Sequence, residues 1–520
     1  MKKLTLCTLI LSFCAISAEA QTDVDSDIVN TALQQMNVEQ TLWFNSTNSA
    51  GMVFGPLKRY NTVSLDGEMA KGDFKPSRLG TKESAVIFNT SGALQYNGFS
   101  LWGYFKFDNN FTEGAKYNVS FYDQQSRNPY SLADFAVSDW KRQSYDMGFK
   151  LATPLLWDKM SFGIDMSYAS KVGAKQMDPR TETYRYDAKI RPSAAISLGR
   201  NSRVGMTLSY ERYFERNDPS VQNYAVNPRV AIMRGLGFYS LGTVGGNTGL
   251  EEFLYSGNRY GGSLQYAIDK ADFEMLADIS FDMETIDVTQ NPTTPQMMGT
   301  ASTTYIDAHI QALFGEQKNQ KLSVRFDMSN TDGIEYVQTF NSDPKVQKWI
   351  TNSTNTMSNY SLIEATLAYD IMTGIKAGKG YSWMFGAMAN FRMQSDIYYI
   401  PQSIFDATGA YAELNATKNI AFSSKTFLLI GVNGGYRYSL GGQYLYAGTT
   451  NVDSDIIKDF YPKELECLTA DYVSAGANVA LSIKTGKRTS LYLKADGRYL
   501  KPMATDTNRL TVRLSIGCLF

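Results

Sequence analysis

The chain lacks the long apolar runs of a helical membrane protein. Beyond its first twenty residues nothing approaches the roughly 18 to 20 apolar residues that a spanning helix needs. Cysteine is scarce: of four, two fall within the leader described below, and the remaining pair, Cys467 and Cys518, cannot supply a disulfide framework or a thiolate metal site. Histidine is scarcer still, with His309 alone. Neither sign of charge dominates. The 50 basic and 51 acidic residues leave a formal net charge of −1, which argues against a nucleic-acid partner, since phosphate binding wants a basic surplus. No cofactor or metal is expected.

What the chain does have is alternation. From Arg509 onward Leu510, Val512, Leu514, Ile516, Cys518 and Phe520 share one face, and Arg509, Thr511, Arg513, Ser515 and Gly517 share the other. A period of two with one wholly apolar face is a strand between two solvents. The start of the chain points to export. Lys2 and Lys3 precede an apolar run from Leu4 to Ile16, and Ala18-Glu19-Ala20 offers a cleavage pattern before Gln21. Bulky Phe13 before Cys14 fits lipoprotein processing poorly. Residues 1–20 therefore read as a signal peptide, 21–58 as a short N-terminal segment and 59–520 as one β-domain.

The alternation recurs throughout that domain, for example at Phe273, Met275, Ala277, Ile279 and Phe281, or Leu322, Val324, Phe326 and Met328. Many half-apolar strands without helical periodicity define an all-β closed architecture. With no spanning helix, the way to pair every backbone group in hydrocarbon is a closed antiparallel barrel. Short connections such as Asn97-Gly98 and Arg200-Asn201 alternate with long ones around 69–84, 109–139, 171–181, 214–253, 283–301, 330–357, 395–406, 439–469 and 501–507. Short turns lie on the periplasmic side and long loops outside. A first strand near 59–68 then gives about 18 strands, with 14 to 18 compatible with the spacing. Cys467 falls near the outer rim and Cys518 near the inner one, so two free thiols are expected. The 33 Tyr and 28 Phe can furnish interfacial girdles.

Residues 21–58 do not alternate. Ile28, Ala32, Leu33, Met36 and Val38 suggest a short amphipathic helix, either a periplasmic arm or a small plug in the lumen. On the inner face the candidate functional residues are Arg185, Asp187, Lys189, Asp272, Glu274, Asp307, His309, Arg325, Asp327, Lys494, Asp496, Arg498, Arg509 and Arg513. Such a mixture either sets a transverse field in a water-filled pore or closes the lumen through ion pairs. Asp307 and His309 sit two apart on one strand, which allows a carboxylate–imidazole pair, but no motif supplies a catalytic third partner. Loop aromatics Trp140, Tyr336, Phe340, Trp349, Tyr398, Tyr399, Phe460 and Tyr461 suit a rim girdle, a loop core or a ligand surface. Gly245 to Gly249 and Gly261-Gly262 read as a loop and a bend, with no helix following to make a phosphate cradle.

The Phe-terminal last strand and the leader make the chain resemble the outer-membrane β-barrels of Gram-negative bacteria. With Trp43-Phe44-Asn45-Ser46-Thr47-Asn48-Ser49-Ala50-Gly51 added, it resembles a Bacteroidota-type barrel family of unknown function. It is more distantly similar to the long-chain fatty-acid-transporter barrels, which have fourteen strands and an N-terminal hatch with an Asn-Pro-Ala turn. Here Ser46 follows Asn45 and the proline is missing. The first resemblance implies bacterial outer-membrane lipid as surroundings and an assembly machinery that reads Phe520. The expected function is a channel or transporter for small solutes. The alternatives are a non-transporting partner of a surface uptake or secretion complex and, less favoured, a barrel hydrolase centred on His309; no enzyme is expected.

Overall fold

The computed structural model describes residues 30–520, apart from 122–126, 224, 226, 246–249, 251 and 487. The leader, Ile28 and most of the Gly245 to Gly249 stretch lie outside the described residues. Eighteen antiparallel strands form the wall, each paired with its neighbours in sequence from Tyr60–Lys71 to Arg509–Leu519. The last strand closes on the first, with Thr62 opposite Leu519 and Lys71 opposite Leu510. Closure leaves no unpaired edge within the sheet at membrane depth. The eighteen strands also depart from the fourteen implied by the fatty-acid-transporter resemblance. No helix among the described residues is long and apolar enough to cross a membrane, which says nothing of a barrel.

Outward positions form an apolar belt. Leu208, Leu264, Ile279, Phe281, Leu367, Leu414, Val432, Leu493 and Leu514 are all at least half exposed to the barrel's surroundings. Each such side chain favours an apolar environment by about 1.5–3 kcal/mol, so a continuous belt of them needs lipid. Cys518 keeps the outward phase of Leu514 and Ile516 but is buried there, a short side chain flanked in the ladder by Val63 and Leu491. Neither of the remaining cysteines is in a disulfide.

The short turns at Asn97-Gly98 and Arg200-Asn201 lie where the spacing put them, but several outer loops are shorter than expected. Within the 330–357 region Gln320–Asn341 and Lys348–Thr373 continue as strands and leave only 342–347 as a turn. Likewise 283–301 shrinks to 291–295 and 395–406 to 399–402. These strands run 16 to 26 residues where about 9–11 cross a bilayer. Beyond the membrane both faces meet water, so alternation vanishes while strand pairing continues. Gly261-Gly262, expected as a bend, lies inside Phe253–Lys270 with unbroken register to both neighbours.

The long loops fold back over the mouth. Leu132–Asp134, Arg229–Gly235 and Phe238–Thr243 make a separate three-stranded sheet. Its strand-side contacts reach round the rim: Leu236 donates its N–H to the Tyr360 hydroxyl (3.1 Å), its carbonyl accepts from Tyr444, and Asp134 forms a fully buried ion pair with Lys175. The helix Tyr461–Thr469 packs on Ser403–Ala421 and Thr426–Leu445. Tags inserted at 222–223, 343–346 and 449–453, all in exposed loop positions, are expected to react with antibody on intact cells, while a tag at 376–378 is not. Surface labelling of the last would reverse the orientation.

Candidate functional site

The inner end of the lumen is filled by the chain's own N-terminal segment. Asn30 caps the helix Thr31–Glu39 by accepting the N–H of Leu33 (2.8 Å). Its buried face, Ala32, Leu33 and Met36, packs with Met372, Tyr381, Met384, Leu429 and Ala480 of the wall. Tyr381 donates to Gln35 and Glu39 pairs with Lys321 at 2.5 Å. The segment then crosses the lumen, with Leu42 and Trp43 packing on Ala267, Leu276 and Leu313.

The Trp43-to-Gly51 stretch docks by close approach and hydrogen bonding. Thr47 donates its N–H and its hydroxyl to Asp278, each at 2.8 Å. The Asn48 amide donates to Gln265 (2.8 Å) and to the Ala194 carbonyl (2.9 Å), and Ala50 donates its N–H to the Ser193 hydroxyl. Lys150 reaches across to the Phe44 carbonyl (2.8 Å). Wall glycines make the room: a Cβ on Gly163 would overlap the Ala50 nitrogen and sit 2.6 Å from the Ser49 hydroxyl, and one on Gly205 would sit 2.5 Å from the Asn48 amide. The small, polar character of Ser46 to Gly51 is the sequence signal for this docking. It becomes legible only beside the wall glycines that face it.

Between plug and cap lie three cavities. One of about 370 Å³ has Asn45, Ser46 and Thr47 in its floor; its wall sets Glu211, Asp278, Asp282, Asp307 and Asp327 against Lys189, Arg191, Arg259 and Arg325. A second, of about 620 Å³, sets Glu39, Glu68, Asp370, Glu413 and Asp496 against Lys321, Lys494, Arg498 and Arg513. The third, about 730 Å³, lies under the cap and adjoins the second at Arg498.

The lumen candidates are mostly ion-paired. Arg185 pairs with Asp187 (2.9 Å), Lys189 with Glu211 (2.7 Å), Glu274 with Lys318 (2.7 Å) and Arg325 with Asp327 (2.9 Å). Lys494 pairs with Asp496 (3.0 Å), Arg498 with Glu413 (3.3 Å), Arg509 with Glu83 (3.1 Å) and Arg513 with Glu68. Arg185–Asp187, Arg325–Asp327 and Lys494–Asp496 lie two apart on a strand, Lys189–Glu211 and Arg513–Glu68 lie directly across a ladder, and the other three pairs reach farther round the wall. Asp272 is a correction: the ladder ends at Lys270 opposite Phe273, which puts Asp272 in the exposed turn and not in the lumen.

His309 does not pair with Asp307. Its Nε2 lies 2.9 Å from the Ser323 hydroxyl and its Nδ1 3.4 Å from the Gln311 amide nitrogen. Asp307 instead lies opposite Asp327 in the ladder and accepts from Ser280. An amide N–H aimed at Nδ1 leaves the imidazole proton on Nε2, donated to Ser323, which is the reverse of what a general base needs.

The cap contributes residues that spacing did not single out. Glu464, on the helix Tyr461–Thr469, accepts the Ser77 N–H at 2.6 Å and joins two loops. Burial raises its carboxyl above the ordinary value despite the Ser77 bond and Arg78. A raised value means the docked state binds the proton more tightly. Docking is therefore strongest below the ordinary glutamate range and weakens as pH rises through the raised value. The exchange protection of 456–469, taken after dividing out the intrinsic base-catalysed rate, should fall with rising pH in the native chain and lose that dependence in Glu464→Gln; an unchanged dependence would refute the role. Burial also pushes the Cys467 thiol up to about 12, so it stays protonated at neutral pH. Of the loop aromatics, Trp140 is fully buried, Phe460 and Tyr461 line the third cavity, Tyr398 packs in the loop core, and Phe340 and Trp349 pair at 5.3 Å on the projecting hairpin.

A lipid-facing wall, a charged lumen and closures at both ends define an outer-membrane-type β-barrel. The chain belongs to DUF6850, a family of unknown function, whose sequence profile matches residues 49–520. No curated protein matches it. Among solved structures it is similar to the FrpB iron transporter from Neisseria meningitidis (10% identity, 91% of this chain and 83% of that one, TM-score 0.44). It is also similar to BauA, the ferric preacinetobactin receptor from Acinetobacter baumannii (8%, 89% and 80%, TM-score 0.39), and to the ferric yersiniabactin uptake receptor FyuA from Yersinia pestis (9%, 89% and 79%, TM-score 0.40). Likeness at that level carries no argument about this chain's solute.

Proposed function

We propose that the protein is a gated route for a small solute across the bacterial outer membrane, with residues 30–58 as the inner gate and the folded-in loops as the outer one. The observation that carries this is the plug. Its helix and Leu42-Trp43 are anchored by apolar contacts, but Ser46 to Gly51 is held by hydrogen bonds and small-residue contacts with little apolar wedging, so that part of the closure can be released. In planar bilayers the native chain is expected to conduct rarely, and a chain whose plug is displaced to conduct steadily. Equal conductance of the two would refute gating.

Export through a cleaved leader and insertion by a machinery that reads Phe520 belong to the same proposal. Phe520 is also the last rung of closure, since it exchanges N–H···O bonds of 3.0 and 2.7 Å with Asn61. Deleting it is expected to lower the assembled amount in the outer membrane, and normal levels would contradict that. We read the chain as non-enzymatic, on the His309 geometry above. A second reading, partnership in a surface complex, is favoured by the ribbon 334–341/348–357, which projects beyond its neighbours with Val337, Phe340 and Ile350 exposed. Gentle solubilisation should then recover a partner that is lost when 338–353 is shortened to a tight turn.

A further inference from the structure

The two inner cavities each set five carboxylates against four basic groups, so an anion meets no net attraction there. The third cavity differs. Among the described residues it is lined by Arg78, Arg127, Arg392, Arg437, Arg498 and Arg509 against Glu364, Asp396 and Glu464. In a chain of net charge −1 this local surplus is a property of the site, not of composition.

The pairings sharpen the point. Arg127 pairs with Asp396 and Arg392 with Glu364 (2.7 Å), which accounts for two of the three acids. Arg437 donates to the carbonyls of Cys467 and Leu468, so its charge meets the end of a helix and not a carboxylate. Arg498 pairs with Glu413, which lines the neighbouring cavity, and Arg509 pairs with Glu83 (3.1 Å), so two of the six guanidinium groups are held by carboxylates just outside the lining and the chamber's remaining surplus is small but positive. Rings complete the walls: Phe74 meets Tyr472 edge-on at 5.6 Å, Tyr411 lies 6.1 Å from Tyr472, and Phe405 and Tyr461 stand at 6.1 Å. Planar guanidinium forks bind carboxylate, sulfate or phosphate in two-point fashion, and aromatic faces stack on flat rings. A volume of about 730 Å³ is within the range of small-ligand sites.

We infer that this outer chamber is a binding site for a ring-bearing organic anion with more than one negative charge. The inference rests on reading the lumen as a gated route, since it names the solute of that route. The cavities below, each with one more carboxylate than basic groups, offer such an anion nothing comparable, so it is held under the cap until the gates move.

The test uses the full chain in detergent micelles and titration calorimetry with three probes: naphthalene-1,5-disulfonate, the neutral naphthalene-1,5-diol, and inorganic sulfate. The disulfonate is expected to bind at least about tenfold more tightly than either of the others, the difference that one or two charge-assisted bonds make. Arg392→Gln and, separately, Arg437→Gln are each expected to weaken disulfonate binding about tenfold, with heat-modifiable mobility confirming the fold. Arg437 also holds the loop helix, so Arg392→Gln keeps the test decisive if that variant misfolds. Equal binding of the diol, equal binding of bare sulfate, or an Arg392→Gln protein that binds as the native chain does would each overturn the inference. Conductance separates the two claims. A plug-displaced channel that conducts but binds no disulfonate overturns the chamber and leaves gating intact, whereas binding without conductance upholds the chamber and overturns gating.

Discussion

Folding yield in lipid vesicles is expected to collapse for Leu493→Arg and Leu514→Arg and to stay near native for Lys494→Leu and Arg513→Leu. Leu493 and Leu514 are each 58% exposed on the outer wall, mid-strand, in neighbouring strands whose register sets Leu493 opposite Ile516 and Ala495 opposite Leu514. An arginine there places a charge against hydrocarbon at roughly 2–4 kcal/mol per site. Lys494 and Arg513 lie one residue away on the lumen side, paired with Asp496 and Glu68 in a wetted cavity. Losing either pair costs at most about 1 kcal/mol, since exposed ion pairs are weak. Urea-gradient refolding into vesicles reads all four, and equal yields would mean the two faces are misassigned.

Opening of the lumen is the second large effect. Gly163→Val adds a side chain that a strand accepts readily, and its Cβ falls on the Ala50 backbone, which cannot rotate aside. Overpacking of that kind costs about 1–3 kcal/mol, charged here to the docked plug and not to the barrel. That shifts the plugged fraction by roughly 5- to 150-fold. Steady conductance is expected from Gly163→Val. Gly67→Val, whose added Cβ meets nothing within 4 Å, is expected to behave as the native chain does. If the two are indistinguishable, the plug is not the gate.

The barrel was readable from sequence because each of its strands is sampled by two solvents at once. Residues such as Ile279 and Phe281 against Asp278 and Asp282 carry that contrast one residue at a time. Where the wall leaves the membrane, as in 334–341 and 348–357, both faces are wet, the contrast disappears, and strand reads as loop. The lumen charges were visible as a class but not as pairs: Arg325 with Asp327 is apparent from spacing, whereas Arg513 with Glu68 needs the closing ladder. Asp272 missed by one residue because a two-residue turn shares its composition with the strand end. The plug was legible as a departure from alternation, but its place in the lumen depended on Gly163 and Gly205, more than a hundred residues downstream. The outer chamber had no local signature. Its arginines come from loop and wall segments between 78 and 509, which only the folded cap brings together.

The central claim is that the N-terminal segment occupies the lumen of a closed barrel. It is tested most directly by crosslinking Ser49→Cys to Ser193→Cys in isolated outer membranes. The two hydroxyls are 3.0 Å apart; of the native cysteines Cys518 is buried, and half-buried Cys467 is held as a protonated thiol in the outer loops. Mild oxidation is expected to join residues 49 and 193 within one chain at high yield, seen as a reducible mobility shift. Two free thiols that instead react separately with a periplasmic maleimide would contradict it.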